Sequence, residues 1–535
     1  MASDTATEKW SSRFGVILAV AGSAVGLGNF LRFPGLAAQY GSGAFMVAYF
    51  ISLFLIGIPI CWAEWTLGRY AGQKGFHSSP GIFHVLIRRQ AGKYIGVLGV
   101  IIPVVIYMYY VYIEAWCLGY FYYFLTGQLD LGQDVAAYGD FWARFVGANE
   151  NGLVLGHGQN QVIVFLIIVF ALNFIIIYQG IVRGIEFFCK YAMPALVVLA
   201  LITLARVLTL GTPDPLKPDQ NILNGLGYMW NPGDIAASLS NPQLWLAAAG
   251  QIFFSLSVGF GVIITYASYL TNEDDVALSG LAASSANEFC EVGLGGMITV
   301  PAAFVFLGAA GIVGQGTFGL GFKVLPLVFS KIPVLPWLFG GIFFFLLFLA
   351  AITSSLSMLQ PGIAFLEEGL GLGRKQSVAI LGLLTAIGSL FVVYFSKDLK
   401  ALDTLDFWVG TFLIFVMGTI IIVIFGWILG TERGWIEAHR GAEMKIPGVF
   451  KWIIQYVSPI YLLGIFVLWV LFNVFGWDPS TGEFKPTSYI LDLVGPMPDP
   501  VARLSVLFIL LVMGFFLILI ANAGKRWNKI APPSG

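Results

Sequence analysis

The chain has 535 residues, 58% of them hydrophobic and only 11% charged, with a mean hydropathy of +0.85. Soluble domains carry about 25% charged residues, so this composition excludes a soluble globular protein and defines an integral membrane protein. The formal net charge of −1 says nothing about partners beyond the bilayer itself, and no nucleic-acid partner is expected.

The opening segment, residues 1–13, is polar and is not followed by a basic region with a cleavage site, so a cytoplasmic N-terminal segment is expected rather than a removable signal peptide. Apolar stretches of about 20 residues, long enough to cross a bilayer as helices, then recur as far as Ala523. About twelve spans are expected, near 14–37, 43–70, 95–125, 161–179, 185–210, 243–270, 277–309, 337–368, 376–395, 401–429, 449–475 and 501–523. Alternating ten-residue strands are absent, which excludes a barrel and leaves an all-α membrane protein. The loop 126–160 is long, acidic and external, and the amphipathic segment 316–332 is expected to form an external hairpin of short helices. Lysine and arginine crowd one set of loops (Lys74, Arg88, Arg89, Arg374 and Lys375 among them) and are sparse on the other. That bias places both termini, including the tail 524–535, on the cytoplasmic side of the cell membrane. Cys61, Cys117, Cys189 and Cys290 fall in apolar segments and read as small core residues, neither a disulfide framework nor a metal cluster.

Two glycine-flanked runs, Val25-Gly26-Leu27-Gly28 and Val258-Gly259-Phe260-Gly261, interrupt the first and sixth spans. Glycine costs roughly 1 kcal/mol relative to alanine inside a helix, so each run weakens its helix at mid-depth. Broken backbone survives in a bilayer only when buried in protein or lining a cavity, and paired interruptions in two halves point to a transporter's binding site. Five spans precede the sixth, so two five-helix units, 14–210 and 243–429, would have opposite topologies. That makes an inverted repeat, with the last two spans, 449–523, outside it.

Around the breaks the sequence reads Gly22-Ser23-Ala24-Val25-Gly26-Leu27-Gly28-Asn29-Phe30-Leu31-Arg32-Phe33-Pro34 and Gly250-Gln251-Ile252-Phe253-Phe254-Ser255-Leu256-Ser257-Val258-Gly259-Phe260-Gly261. Together with Gly57-Ile58-Pro59, Glu64-Trp65, Tyr109 to Glu114, Asn287-Glu288, Thr353-Ser354-Ser355 and Asp406-Phe407-Trp408, the chain resembles the neurotransmitter:sodium symporter family over essentially its whole length. The resemblance implies a five-plus-five inverted repeat with helices 1 and 6 broken, the leucine-transporter-like fold, and sodium-coupled transport of a small solute by alternating access. It leaves a homodimer open.

The resemblance also implies site residues. A first sodium site would comprise the Ala24 carbonyl, the Asn29 and Asn287 side chains and Ser255, completed by the substrate carboxylate. A second would use carbonyls of Gly22, Val25 and Ala350 with the hydroxyls of Thr353 and Ser354. Sodium is a hard cation, and such oxygen donors suit it by the logic that governs calcium and magnesium. Half-helix N-termini at mid-membrane are electropositive and suit a substrate carboxylate. The side-chain pocket would be Ile106, Tyr110, Phe254, Ser257, Phe260 and Met358, with Ser23 near the amine; Ala24, Gly26, Gly28, Ser255 and Ser354 complete the substrate site. Gly26 stands where monoamine transporters of the family carry aspartate, so the carboxylate should come from the ligand, an amino acid. No charged residue lines the pocket, which favours a neutral side chain. Ile106 and Met358 are bulkier than the valine and isoleucine of leucine-transporting relatives, pointing to small or medium aliphatic substrates.

Arg32 and Asp406 match the external gate pair; Trp10, Tyr269 and Glu368 match the internal gate. The internal gate's arginine is replaced by Thr7, with Lys9 nearby. Glu291 occupies the position of a serine that binds chloride in chloride-dependent relatives, beside Tyr49, Gln251 and Ser255, so a fixed carboxylate is expected to replace the anion. The alternative for Glu291 is a protonated hydrogen-bond donor. Glu64 is read as pinning backbone near the breaks, and Glu114 stays ambiguous between structure and function. An amino-acid sensor or channel on the same scaffold is the rival reading. No paired metal-ligand motif, nucleophile elbow or phosphate loop supports an enzyme.

Overall fold

The structure, a computed structural model, describes residues 10–153, 161–478 and 481–527. Thr7 and Lys9, the end of the C-terminal tail, and part of the loop 126–160 lie outside the described residues. Within them the chain is a bundle of helices, and nine are long and apolar enough to cross a membrane. These nine include Gly43–Gly72 (second), Gln90–Leu125 (third), Ile181–Leu208 (fifth), Val276–Ile312 (seventh), Pro336–Leu370 (eighth) and Lys397–Ile428 (tenth). The first span is the bent pair Arg13–Ala24 and Gly28–Gln39, turned 46° at its break. The fourth is Val162–Tyr178, and the sixth is split into Pro242–Ser255 and Val262–Ala267. The span count therefore agrees with the sequence.

Proline and side-chain caps set several helix starts. Pro242 opens the sixth span behind Asn241, whose side chain accepts from the Gln243 N–H, and Asp275 caps the seventh. The third and eighth helices form the centre: 83% and 89% of their apolar windows are buried, against 28% for the last two spans. Close approach depends on glycine. A Cβ on Gly72 would collide with the Ser268 carbonyl, and one on Gly68, four residues earlier, with the Ile264 carbonyl, so this small-xxx-small stripe seats the second helix on the inner half of the sixth. A Cβ on Gly295 would meet the backbone of Asn29, seating the seventh helix on the first.

One expectation needs correction. The segment 316–332 does not fold as a pair of short helices: Gly316–Ser330 is one helix, largely buried, and the preceding chain turns at Gly308 with φ +68°. Its apolar residues Leu320, Phe322, Leu325 and Phe329 pack inward, which a continuous helix permits and a surface hairpin would not.

Candidate functional site

The two breaks meet in the interior. The first half-helix ends where Val25 adopts ψ +96°, and a π-helical turn, Gly28–Arg32, resumes the span. In the sixth span Ser257, Gly259 and Gly261 all take positive φ, +54°, +77° and +84°. A Cβ on Gly259 would lie 2.6 Å from the Ile414 carbonyl oxygen, so only glycine fits. Ser257 accepts its strained conformation while its hydroxyl donates to the Ser23 carbonyl at 2.9 Å, joining one break to the other. Glu64, fully buried, accepts from the Gly259 N–H at 3.0 Å, the backbone-pinning role read from the sequence. Its second carboxylate oxygen has no partner among the described residues.

Between the breaks lies a tight cavity of about 10 Å³, room for about one water, lined by Ser23, Ala24, Gly26, Gly28, Asn29, Tyr110, Phe254, Ser255, Ser257, Phe260, Ser354 and Met358. Every expected substrate-site residue is present except Ile106, which is fully buried but does not reach the cavity wall. Tyr110 and Ser354 flank Gly26 so closely that a Cβ there would sit 3.0 Å from the Tyr110 hydroxyl and 2.9 Å from Ser354 Oγ. Asn29 lines the cavity too.

On one side of the cavity the amide of Asn29 donates to Asn287 Oδ1 (2.8 Å), and the amide of Asn287 donates to Ser255 Oγ (2.7 Å). The Ser255 hydroxyl donates to Glu291, whose other oxygen accepts from Gln251 at 2.7 Å. The Gly26 N–H donates to Asn29 Oδ1 at 2.8 Å, tying this chain to the break. The π-helical turn Phe289–Gly296 carries Glu291, a widened geometry frequent at functional sites. The Tyr49 hydroxyl bonds Glu288 at 2.9 Å instead of Glu291. Glu288 lies three residues from Glu291 and therefore on the same helix side, a placement that in the sequence shows only as its adjacency to Asn287.

On the other side Ser354 Oγ lies 3.3 Å from the Gly22 carbonyl, 3.2 Å from that of Ser23 and 3.0 Å from that of Ala350. Thr353 Oγ1 is 3.0 and 3.1 Å from the carbonyls of Leu349 and Ala350. These hydroxyls bond back along their own helix, as membrane serines and threonines commonly do, yet Ser354 also faces the first break. Both clusters are neutral oxygen donors apart from one carboxylate, the donor set a monovalent hard cation requires. Among the described residues no group of three or more His, Cys, Asp or Glu could hold a metal ion.

Outside the cavity, Arg32 and Asp406 do not form an ion pair. The guanidinium stacks over the Phe254 ring at 4.7 Å, and Asp406 accepts from the Tyr109 hydroxyl at 2.7 Å. Arg32 and Phe254 thus form the floor between the cavity and an outer vestibule of about 180 Å³ that Arg32 also lines. At the opposite end of the bundle Trp10 donates to the Tyr266 carbonyl at 3.0 Å and meets its ring edge-on. Tyr269 stacks on His77, whose imidazole burial holds below its ordinary range. Glu368 accepts from the N–H groups of His77 and Ser78, at 2.5 and 2.7 Å, holding the turn before the short helix Ser79–Ile87, and forms no ion pair among the described residues.

Broken helices enclosing a solute cavity between neutral oxygen clusters define a membrane transporter. The sequence matches the profile of the Sodium:neurotransmitter symporter family over residues 7–133 and 128–478, and the chain belongs to that family. It is accordingly a sodium-dependent membrane transporter, not an enzyme. It is 30% identical over 469 residues to an uncharacterized sodium-dependent transporter of Methanocaldococcus jannaschii, covering 86% of this chain and 90% of that one. The sodium-dependent neutral amino acid transporter B(0)AT1 of Mus musculus is 30% identical over 302 residues, 53% of this chain and 44% of that one. The crystal structure of MhsT in complex with L-phenylalanine superposes with a TM-score of 0.74 at 30% identity, covering 86% of this chain and 99% of that one.

Proposed function

We propose that the protein is a chloride-independent symporter that couples two sodium ions to the import of a neutral amino acid by alternating access across the cytoplasmic membrane, with both termini inside. One observation carries this reading: the cavity wall contains no acidic or basic side chain, while a buried carboxylate, Glu291, stands one hydrogen bond behind it through Ser255. A zwitterion brings its own carboxylate, which Gly26 leaves room for. Its amine would face the Ser23 carbonyl and Tyr110, and Phe254, Phe260 and Met358 would hold an uncharged side chain.

The first sodium ion would replace the hydrogen bonds among Asn29, Asn287 and Ser255, with the Ala24 carbonyl and the substrate carboxylate as further ligands. The second would sit among the carbonyls of Gly22, Val25 and Ala350 and the hydroxyls of Thr353 and Ser354. Arg32, Phe254 and Asp406 would shut the outer side. The bound MhsT ligand and the neutral-amino-acid relative support the substrate class.

The test is uptake of labelled alanine, leucine or phenylalanine into proteoliposomes under an inward sodium gradient. Concentrative uptake that collapses when the gradient is dissipated, and persists when gluconate replaces chloride, is the expected result. Sodium-dependent binding without uptake would instead make the protein a sensor. A competition panel of unlabelled amino acids then ranks substrates, with charged ones expected to compete poorly.

A further inference from the structure

The first turn of the half-helix Arg13–Ala24 is tied to the bundle by contacts remote from the solute cavity. Where the fifth span begins, Glu186, 5% exposed, turns its carboxylate onto the N-terminus of that half-helix. One oxygen accepts from the Ser11 N–H at 3.0 Å; the other accepts from the hydroxyls of Ser11 and Ser12, at 2.5 and 3.3 Å. Ser12 is the N-cap, its own oxygen accepting from the Gly15 N–H at 3.0 Å. Gly15 lies beneath the carboxylate, and a Cβ there would collide with it. Unbonded N–H groups and the helix dipole both favour a carboxylate at this end.

A second arm runs the other way. Arg13 sits 3.4 Å from Asp275 and 2.9 Å from Glu443. Asp275, 2% exposed, caps the seventh span and accepts from the Glu443 N–H at 2.8 Å. The acid matched to the internal gate, Glu368, meanwhile holds the turn at His77 and Ser78.

We propose that Glu186 and Arg13 form the cytoplasmic latch of this transporter, positioning residues whose contacts part when the site opens inward. The proposal rests on the alternating-access reading. The half-helix has 12 residues, so its two ends lie ~18 Å apart at 1.5 Å per residue. Its far end carries Gly22, Ser23 and Ala24 at the site, and the break at Val25 is the hinge. Contacts at the end remote from a hinge have the longest lever over its angle. Glu186 fastens that end to the fifth span and Arg13 fastens it to the seventh and to the loop carrying Glu443. The seal of Trp10 on Tyr266 lies beside them.

The test places a reporter cysteine at Ser357, fully buried, in a background lacking the four native cysteines, which are themselves buried. Maleimide labelling is followed in sodium for the otherwise intact protein and for Glu186→Gln, Arg13→Gln and Ser11→Ala. Each variant is expected to label several-fold faster and to need several-fold more sodium for half-maximal amino-acid binding, because the inward-open form gains population. Glu186→Asp and Arg13→Lys should restore slow labelling. Ser11 is exposed and its truncation leaves Glu186 in place, so this variant tests the latch even where a charge-removing one misfolds. Unchanged labelling and sodium dependence in the folded variants of a protein that transports would overturn the latch alone. Failure of the parent protein to transport would overturn the alternating-access reading instead.

Discussion

Glu291 is fully buried and takes hydrogen bonds from Gln251 and Ser255, with the amides of Asn29 and Asn287 each 3.3 Å from its Oε2. No described cation lies within ion-pair distance of it; under the proposed function its carboxylate, ionised when sodium binds, would balance an ion held among the same side chains. Replacing Glu291 by serine would remove that charge while leaving space beside Gln251 and Ser255. A buried cation deprived of its counter-charge costs several kcal/mol, so uptake by Glu291→Ser is expected to be low in gluconate and to recover as chloride is added. Wild-type uptake that stops without chloride, or a folded serine variant indifferent to chloride, would refute the charge-replacement role. Gly26 supports a second expectation. An aspartate there would push its Cβ to 2.9 Å from Ser354 Oγ and set a second carboxylate against the solute's own. Two unpaired like charges in a buried cavity cost about 3–5 kcal/mol, a loss of ~100-fold or more in amino-acid affinity. Equilibrium dialysis reads this directly, and retained affinity would reverse the proposed orientation of the substrate.

The broken helices were legible from glycine placement, because a break needs backbone that no side chain can crowd. Gly259 and Gly261 do take positive φ. Ser257 joins them at φ +54°, which its residue type did not announce; its compensation, a hydrogen bond to Ser23, comes from a segment 234 positions away. The same limit explains other differences. Ile106 sits on the expected helix, but whether a buried side chain reaches a cavity depends on rotation within a bundle whose third helix is apolar on every face. Which carboxylate Tyr49 would find, Glu288 or Glu291, and whether Arg32 would choose Asp406 or an aromatic ring, are contests between neighbours that spacing alone does not rank. At this scale Gly259→Ala should destabilise the protein by at least about 1–2 kcal/mol from its φ alone, with the clash against Ile414 adding to it. Gly464→Ala, which meets nothing within 4 Å, is the matched control. Thermal unfolding in detergent separates them, and equal melting temperatures would show that the break tolerates a side chain.

Across the whole molecule, the proposed second sodium site joins two bodies that otherwise meet through few polar contacts. The eighth helix, with Ala350, Thr353 and Ser354, is the most buried of the spanning helices and packs on the third. The first half-helix, with Gly22, ends at the break at Val25. A Cβ on Gly22 would lie 3.3 Å from Thr353 Cβ, so the first half-helix packs closely on the eighth helix at this point. An ion coordinated from both helices exists only while they are together, so binding it stabilises that arrangement and the folded bundle with it. At sodium 100-fold above its dissociation constant the gain is about 2.7 kcal/mol. The protein should therefore melt at a higher temperature in sodium chloride than in choline chloride of equal ionic strength. Thr353→Val keeps the side-chain shape and removes one oxygen; Ser354→Ala removes another. Thr353→Val should unfold in choline close to the parent temperature, because its lost hydroxyl bonds its own helix, whereas Ser354→Ala also loses contacts with the Gly22 and Ser23 carbonyls and should melt somewhat lower. In sodium each should lose most of the added stability, since a hard cation missing a ligand is under-coordinated. Uptake should fail in parallel, with the protein still folded. A sodium increment that survives in both variants would mean that the ion binding the folded state sits elsewhere, and that the first and eighth helices are held together by packing alone.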